Sequence, residues 1–121
     1  MENNKESFEE ALARFILVNQ QAIDAHYQKD YPGLWASRAA NVEQLSFDPK
    51  GVKYVRIVGT RGADSNHRGS RSVFCFVEVS TGNVLKADGW KKPAKGARGS
   101  IYAATYEGYG TTVYGAKYIN R

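Results

Sequence analysis

The sequence predicts a small α+β domain, in which an N-terminal amphipathic helix, with room for a second short helix, packs on an antiparallel sheet of three to five strands. Two observations predict this class. Apolar residues recur at spacings of three and four over residues 8–27, and from residue 51 onward apolar β-formers alternate between Gly-containing turns. The 121 residues suit a single domain, helical and acidic over 1–48 and β-rich and basic over 51–121.

The first helix is predicted to begin at Ser7, because Glu10 follows three residues later and the pair fits a capping box. Its buried face is expected to carry Phe8, Leu12, Phe15, Ile16, Ala22, Ile23 and Tyr27. Tyr31-Pro32-Gly33 ends it, because a proline pushes the preceding residue out of helical geometry.

The segment from Leu34 to Leu45 could form a second short helix that carries Trp35, Ala39 and Val42 toward the core, and its pattern does not decide the matter. A turn is predicted at Asp48-Pro49-Lys50-Gly51, since these residue types favour turns for separate physical reasons. Beyond it the pattern changes from helical to extended.

The sheet is predicted from five consecutive segments. Val52–Val58 is a strand that ends at Gly59, and Thr60–Ser72 is a polar loop. Val73–Val79 alternates between two apolar faces at its start, which predicts a central strand. A hairpin turn at Ser80-Thr81-Gly82-Asn83 then returns the chain along Val84–Ala87.

The tail from Ser100 onward is predicted to add one or two strands. Tyrosine recurs through it, at Tyr102, Tyr106, Tyr109, Tyr114 and Tyr118. Interleaved glycines weaken these strands. The tyrosines suit either a surface on which nucleic-acid bases stack or an ordinary sheet face that is partly exposed to solvent, and the sequence favours neither.

The two parts of the chain differ in charge. Residues 1–50 carry five basic and eight acidic side chains, whereas residues 51–121 carry twelve basic and four acidic ones. The net charge is +5. A basic second part predicts an anionic partner, although a solvated cationic surface would give the same composition.

The strongest functional signal is the basic segment from Lys86 to Arg98, which is predicted to be a loop. Five of its thirteen residues are cations: Lys86, Lys91, Lys92, Lys95 and Arg98. Each cation placed near a phosphate releases a condensed counterion, so the segment predicts salt-dependent binding to a nucleic-acid backbone. Trp90 could stack on an unpaired base, or it could fold inward and anchor the segment, and the second interpretation is favoured.

A second cationic rim is predicted at Arg61, Arg68 and Arg71. If the neighbouring strands pair as an antiparallel sheet, the segment that holds these arginines lies at the same sheet end as the Lys86–Arg98 segment. The two segments would then form one patch. This inference depends on the hairpin at residues 80–83.

Catalysis is not expected. The sequence contains no phosphate-binding loop, nucleophile elbow or zinc-protease motif, and the spacing of its Cys and His residues matches no zinc site. Asp64, Asp88 and His67 could hold a metal for phosphodiester cleavage, but nothing in their spacing requires it. We therefore predict no catalytic residue, no metal and no cofactor.

The segment from Val73 to Tyr102 resembles a family of small uncharacterised proteins from tailed bacteriophages. The shared pattern is an aromatic-rich strand, a Thr-Gly turn, and then Lys-Ala, Trp-Lys, Pro-Ala and a closing Arg-Gly. The resemblance implies a viral origin and a host-cytoplasmic setting, and it implies that Trp90, Pro93 and Arg98 act as a unit. It names no reaction.

The expected function is that of a non-enzymatic accessory protein that binds nucleic acid, with single strands favoured. One alternative is a virion component or host-factor inhibitor that uses the Tyr-rich C-terminal surface, and another is a metal-dependent nuclease. The sequence has no apolar run long enough to span a membrane and a single cysteine, Cys75, which predict a reducing cytoplasmic setting. Self-association is left open.

Overall fold

A computed structural model of the chain describes residues 6–37, 42–48, 51, 53–61 and 70–117, and it confirms the predicted α+β class. One long helix packs on a five-stranded antiparallel sheet. In chain order the elements are α1 (Phe8–Asp30), α2 (Pro32–Trp35), β1 (Gln44–Phe47), β2 (Tyr54–Arg61), β3 (Ser70–Glu78), β4 (Asn83–Ala87), β5 (Pro93–Ser100), a 3₁₀ turn (Glu107–Tyr109), β6 (Thr111–Thr112) and β7 (Gly115–Ala116).

Helix α1 begins and ends as its sequence predicts. The Ser7 hydroxyl accepts a hydrogen bond from the Glu10 backbone N–H at 3.1 Å, and the Glu10 carboxylate accepts one from the Ser7 backbone N–H at 3.0 Å. This capping box satisfies two N–H groups that have no partner inside the helix. At the other end the Tyr31 N–H still bonds to the Tyr27 carbonyl, and Pro32 follows.

The sheet is an antiparallel meander in the order β1-β2-β3-β4-β5, so β3 is central, as predicted. The hairpin between β3 and β4 also lies where the sequence places it. Gly82 has a φ of 76°, and its N–H bonds to the Glu78 carbonyl at 2.7 Å. A side chain is rarely found at that φ, which explains the glycine.

The core lies between α1 and the inner face of the sheet, defined here as the face that α1 covers. Phe15 and Ile23 of α1 are fully buried there, among apolar side chains from β2, β3 and β4. The register of β2 with β3 shifts after Ile57, and this bulge brings Phe74 into the same core as Cys75. Strict alternation had placed these two residues on opposite faces, and the bulge explains the difference.

The second short helix that the sequence allowed is present, but it spans Pro32–Trp35 and so begins and ends earlier than the segment Leu34–Leu45. Within that segment the described residues after Trp35 are not helical, and Gln44 and Leu45 begin β1. Proline suits the first turn of a helix, so Pro32 both ends α1 and starts α2. Val42 is buried as expected, whereas Ala39 lies outside the described residues.

The prediction that the Lys86–Arg98 segment is a loop was also wrong. Lys86 and Ala87 complete β4, residues 88–92 form a turn, and the rest belongs to β5. Pro93 is the first residue of β5, opposite Ala87, and β5 is an edge strand whose pairing with β4 is interrupted by two register shifts. Edge position and irregular register are the conditions under which proline and glycine are tolerated in a sheet.

Two further strand boundaries differ from expectation. Gly59 lies inside β2, which continues to Arg61, and β3 begins at Ser70 rather than at Val73. The pairing of Arg61 with Ser70 extends both strands into the segment predicted as a loop. Residues 62–69 of that segment lie outside the described residues.

The tail forms a 3₁₀ turn and one small hairpin, β6 with β7, which confirms one or two added strands. Tyr109 is buried and meets the Phe15 ring edge-on, with centroids 5.0 Å apart. The tail approaches β5 closely, because a Cβ at Gly110 would lie 2.1 Å from the Arg98 carbonyl oxygen. The glycines expected to weaken the tail therefore let its backbone pack against the sheet.

A pair of glycine substitutions tests this close approach. Gly110 and Gly89 both have positive φ, at 73° and 97°, but a Cβ at Gly89 meets nothing within 4 Å. Gly89→Ala should therefore cost only the backbone strain, roughly 1–3 kcal/mol. Gly110→Ala should cost about 1–3 kcal/mol more, because its methyl group overlaps backbone atoms. Urea unfolding of the two variants measures the difference, and equal losses would contradict the packing described here.

Candidate nucleic-acid interface

The turn at residues 88–92 and the first residues of β3 lie at the same end of the sheet. The Asp88 N–H bonds to the Lys92 carbonyl at 2.9 Å and closes the turn. Trp90, in the middle of the turn, has the Arg71 guanidinium 5.2 Å from its ring centroid. The structure thus brings Arg71 of the predicted second rim against the basic segment.

Trp90 is held from the sheet side by Arg56. The Arg56 guanidinium lies 4.3 Å from the indole centroid, and its Nη1 donates a hydrogen bond to the Trp90 carbonyl at 3.0 Å. Because the neighbours Val55 and Ile57 point into the core, Arg56 lies on the outer face of the sheet, opposite α1. Trp90 keeps 38% of its surface exposed. Arg56 therefore anchors Trp90 and the turn to the sheet, but the indole lies partly exposed on the outer face and is not folded inward as the favoured interpretation expected.

One carboxylate, that of Asp48, fixes both arginines. It accepts from Arg56 Nε at 2.7 Å and lies 2.6 Å from Arg56 Nη2, and its other oxygen lies 3.3 Å from Arg71 Nη2. Two nitrogens of the Arg56 guanidinium thus meet one carboxylate oxygen, and these charge-assisted contacts hold the guanidinium in place. We call Asp48, Arg56, Arg71 and Trp90 the Trp90 cluster. Of these four residues, the sequence analysis assigned a binding role only to Trp90 and Arg71. The signal that it missed for Arg56 is a charged residue between two apolar core residues of a strand, Val55 and Ile57.

Exposed lysines surround the Trp90 cluster. Lys91 and Lys92 lie on the turn, and Lys53 precedes β2. Two of them, Lys53 and Lys91, border a shallow pocket of about 310 Å³ that is lined by Asp48, Gly51, Lys53, Tyr54, Arg56, Phe76 and Lys91. Its single carboxylate is the one already bound to two arginines, so the described wall presents mainly positive charge.

The predicted binding residues of β4 and β5 have different surroundings. Lys95 is exposed on β5, and Lys86 is half-buried on β4. Arg98 donates to three backbone carbonyls, those of Gly96 at 3.0 Å, Lys117 at 2.7 Å and Lys95 at 3.3 Å. Arg98 therefore ties β5 to the tail, and fewer of its N–H groups remain for an anion than the sequence suggested.

Arg61 does not join the Trp90 cluster. It follows Thr60 on β2 and projects to the inner side, where its Nη1 donates to the Tyr27 hydroxyl at 3.0 Å. Successive residues of a strand face opposite ways, so a shared sheet end does not mean a shared face. Arg68 lies outside the described residues.

Arg61 instead helps to form a second concavity, the helix-end pocket, of about 470 Å³ near the C-terminal end of α1. Its described lining consists of His26, Tyr27, Tyr31, Leu34, Glu43, Gly59, Arg61, Ser72, Val113 and Tyr114. The sequence interpretation missed this site because its residues come from five separate segments. The one local signal was the close spacing of His26, Tyr27 and Tyr31 at the end of a helix.

Aromatic rings form one side of the helix-end pocket. The His26 ring lies edge-on to three tyrosines, with centroid distances of 5.7 Å to Tyr27, 5.6 Å to Tyr31 and 5.8 Å to Tyr114. Nδ1 of His26 lies 3.0 Å from the Asp30 carboxylate, one helical turn on. Tyr114, at 81% exposure, stands at the rim. The pocket therefore presents exposed tyrosine beside an ordered ring cluster.

A carboxyl group lies on the floor of the helix-end pocket. Burial raises the pKa of Glu43, and the nearby positive charge of Arg61 partly offsets this rise. The carboxylate rests directly on the backbone of β2, since a Cβ at Gly59 would come within 1.7 Å of Glu43 Oε2. Glycine at position 59 is therefore what makes room for it.

The described residues offer little for metal or thiol chemistry. Among residues 6–37, 42–48, 51, 53–61 and 70–117, no three His, Cys, Asp or Glu side chains converge on a metal-sized site. Asp64 and His67, two of the three residues considered for the nuclease alternative, lie outside these ranges. Burial raises the pKa of the Cys75 thiol, which disfavours a reactive thiolate. No helix in the described ranges is long and apolar enough to cross a membrane.

A model of a family of unknown function, DUF7717, matches residues 1–110. The chain belongs to this family. The matched range includes the whole Trp90 cluster and most of the helix-end pocket, while Val113 and Tyr114 at the pocket rim lie beyond it. No curated protein and no solved structure matches the chain. The description of this DUF7717 family names no activity.

The half-buried carboxyl group of Glu43 leads to a pH-dependent prediction. A carboxyl pKa that is higher in the folded than in the unfolded chain lowers stability as the pH rises through the interval between the two values. Glu43→Gln has no such group, so it should raise the melting temperature at pH 7, and its advantage should disappear near pH 4. Thermal unfolding at both pH values checks this, with Glu107→Gln at an exposed carboxylate as the charge-matched control. An advantage of the same size at both pH values would contradict it.

Proposed function

We propose that this DUF7717 protein is a small accessory protein that binds nucleic acid, with single strands preferred, through the outer face of its sheet. The observation that carries the proposal is the Trp90 cluster with the exposed lysines around it. Asp48 already bonds two arginines, so the pocket wall that includes Lys53 and Lys91 has net positive charge, and the exposed Lys92 follows Lys91 on the same turn. Cations held in this way suit phosphate groups, and their contribution to affinity decreases with salt.

The preference for single strands rests on aromatic rings beside the cations. Tyr54 is half-buried on the outer face, with the Lys53 ammonium 5.9 Å from its ring centroid, and the Trp90 indole is partly exposed. A base freed from a duplex can stack on such a ring, which contributes about 1–3 kcal/mol per base. Stacked bases in an intact duplex do not offer their faces.

The biological setting belongs to the same proposal. The resemblance of residues 73–102 to small proteins of tailed bacteriophages favours a phage-type accessory role in the host cytoplasm. No catalytic residue or cofactor is part of this role. Lys95 and Arg98 would extend the phosphate-binding surface along β5, and Arg98 offers fewer N–H groups because it already bonds three carbonyls. Lys86, two residues after the core residue Val84 on β4, faces the side of the sheet opposite to the Trp90 cluster, so its predicted phosphate contact would lie on that other side.

A double charge reversal on the turn tests the proposal. Lys91→Glu/Lys92→Glu should weaken binding to a labelled single-stranded oligonucleotide and reduce the slope of log affinity against log salt by roughly 0.7 for each lost phosphate contact. The matched control, Lys29→Glu/Lys117→Glu, makes the same charge change on α1 and after β7, and it should retain more of the affinity and slope. A fluorescence-anisotropy salt series measures both.

Three outcomes would contradict the proposal. The first is no binding of the wild-type chain to single strands at low salt. The second is binding that does not change with salt. The third is an equal loss of oligonucleotide affinity in the turn and control variants, because the effect would then depend only on the total charge of the protein. A duplex of the same sequence in a parallel series tests the preference for single strands.

A second candidate function is that of a self-assembling or interaction protein, and a specific surface favours it. Leu17 on α1 is 58% exposed and Phe47 on β1 is 50% exposed. Both line an apolar groove of about 510 Å³ together with Ile16. Exposed apolar side chains grouped in this way are typical of contact surfaces, and a two-fold contact would bury the same patch on each copy. The Tyr-rich tail is a weaker candidate surface, since Tyr109 is buried in the core.

Self-association makes a separate prediction. If α1 and β1 form the contact, sedimentation equilibrium should show a concentration-dependent dimer that Leu17→Glu abolishes, because the substitution places a charge in the contact. Leu34→Glu, at an exposed leucine outside this groove, is the control and should leave the dimer intact. A monomer at all concentrations would remove this candidate without affecting the nucleic-acid proposal.

A further inference from the structure

We propose that the helix-end pocket binds a single nucleotide whose base carries an exocyclic amino group, as adenine and cytosine do. This site differs from the Trp90 cluster in position and in chemistry. It lies on the inner side of β2 and β3, and its described lining combines tyrosine rings, one guanidinium and one carboxyl group. The sequence interpretation assigned no role to this combination.

The shape and surface of the pocket suit a planar ring. Its volume of about 470 Å³ falls within the usual range for small-molecule sites, roughly 300–1,000 Å³. Tyr31 and Tyr114 are exposed at its rim, at 48% and 81%, although both also contact His26. A base stacked on these rings would bury apolar surface that is now in water, and the surrounding contacts already limit how far the rings can move.

The charged groups of the pocket distinguish the two ends of a nucleotide. A guanidinium has five N–H donors, and that of Arg61 uses one of them to bond the Tyr27 hydroxyl. The Arg61 side chain can therefore also donate to a phosphate oxygen. Glu43 provides an acceptor for the amino group of adenine or cytosine, a pairing that carboxylates make with cytosine in nucleic-acid recognition. Uracil and thymine present a carbonyl at that position, which a carboxylate would repel.

The location of the pocket allows two sources for this ligand. Ser72 lines the pocket, while its neighbour Arg71 contacts Trp90 on the outer face. The two sites therefore lie on opposite sides of adjacent residues of one strand. A nucleotide could enter the pocket as a free monophosphate, or as the terminal base of a single strand that also lies on the outer face. The recognised chemistry is the same in both cases.

Calorimetric titration with mononucleotides tests the pocket directly. CMP and AMP should bind saturably, and UMP at least tenfold more weakly. Tyr114→Ser removes an exposed ring and should weaken CMP binding about five- to tenfold, within the range of one base–aromatic stack. The control, Tyr102→Ser, removes a second exposed tyrosine that does not line the pocket and should leave CMP binding unchanged. Glu43→Gln should reduce the preference for CMP over UMP.

Several results would overturn the inference. These are no saturable binding of CMP or AMP at millimolar concentration, equal binding of CMP and UMP, or an affinity for inorganic phosphate equal to that for CMP. An effect of Tyr102→Ser as large as that of Tyr114→Ser would also overturn it. Circular dichroism of each variant checks that the fold is retained. Tyr114→Phe keeps the aromatic ring, so it should bind CMP like the wild type if Tyr114→Ser binds weakly because stacking is lost.

A crossed design separates this inference from the proposed function. If both are correct, Lys91→Glu/Lys92→Glu should lose affinity for oligonucleotides and keep CMP binding, whereas Tyr114→Ser should lose CMP binding. Free CMP should compete with an oligonucleotide only if a base of the strand occupies the pocket, which identifies the source. Oligonucleotide binding without CMP binding would sink the pocket alone, and CMP binding without oligonucleotide binding would sink the outer-face proposal alone.

Discussion

The structure depends on the contact between the first helix and the C-terminal tail. Phe15 of α1 meets the ring of Tyr109 edge-on at 5.0 Å, and in the same layer the buried Thr111 hydroxyl donates to the Asn19 side chain at 2.6 Å. Asn19 in turn donates to the Phe15 carbonyl at 2.8 Å, so both polar side chains of this layer are satisfied. Arg14 adds a hydrogen bond to the Tyr109 hydroxyl at 2.7 Å. Breaking one member of such a buried network leaves the others unpaired, which costs more than the bond itself contributes. This contact joins parts of the chain that are about ninety residues apart, and it brings α1 and the tail together around the helix-end pocket.

Both edges of the sheet are protected, and this limits how a partner can bind. At the β1 edge the Gln20 amide acts as a strand would, since it donates to the Glu43 carbonyl at 2.9 Å and accepts from the Leu45 N–H at 2.7 Å. At the β5 edge Pro93 has no N–H to offer, and Arg98 ties the strand to the tail. Open edges invite strand addition, and prolines, cations and covering side chains prevent it. Strand addition is therefore disfavoured at both edges, and the Trp90 cluster and the helix-end pocket lie on opposite sides of one end of the sheet.

The alternation of side chains along β2 and β3 separates those two sites. Arg56 and Arg71 lie on the outer face with Trp90, whereas Arg61 and Ser72 lie on the inner side with the tyrosines. One end of the sheet can thus present a cationic surface on one side and an aromatic pocket on the other. The Trp90 cluster requires Asp48, because two guanidinium groups that approach one indole would otherwise repel each other. The carboxylate therefore orients the cations and limits their repulsion.

Elements with local sequence signals could be predicted before the fold was known. The capping box at Ser7, the helical spacing of α1 and the turn at Gly82 depend on neighbours a few residues away, so local chemistry was enough to predict them, and with them the α+β class. The tertiary structure decided what depends on pairing and burial at long range. The segment after Lys86 is mostly strand rather than loop, because its pairing with β4 at the sheet edge outweighs the local preference of proline and glycine for loops. Arg61 faces away from Arg71, because successive residues of a strand point to opposite faces of the sheet. The face of a given residue is therefore known only once the strand boundaries and register are known. The helix-end pocket could not be predicted, since five separate segments form it and only the folded chain brings them together.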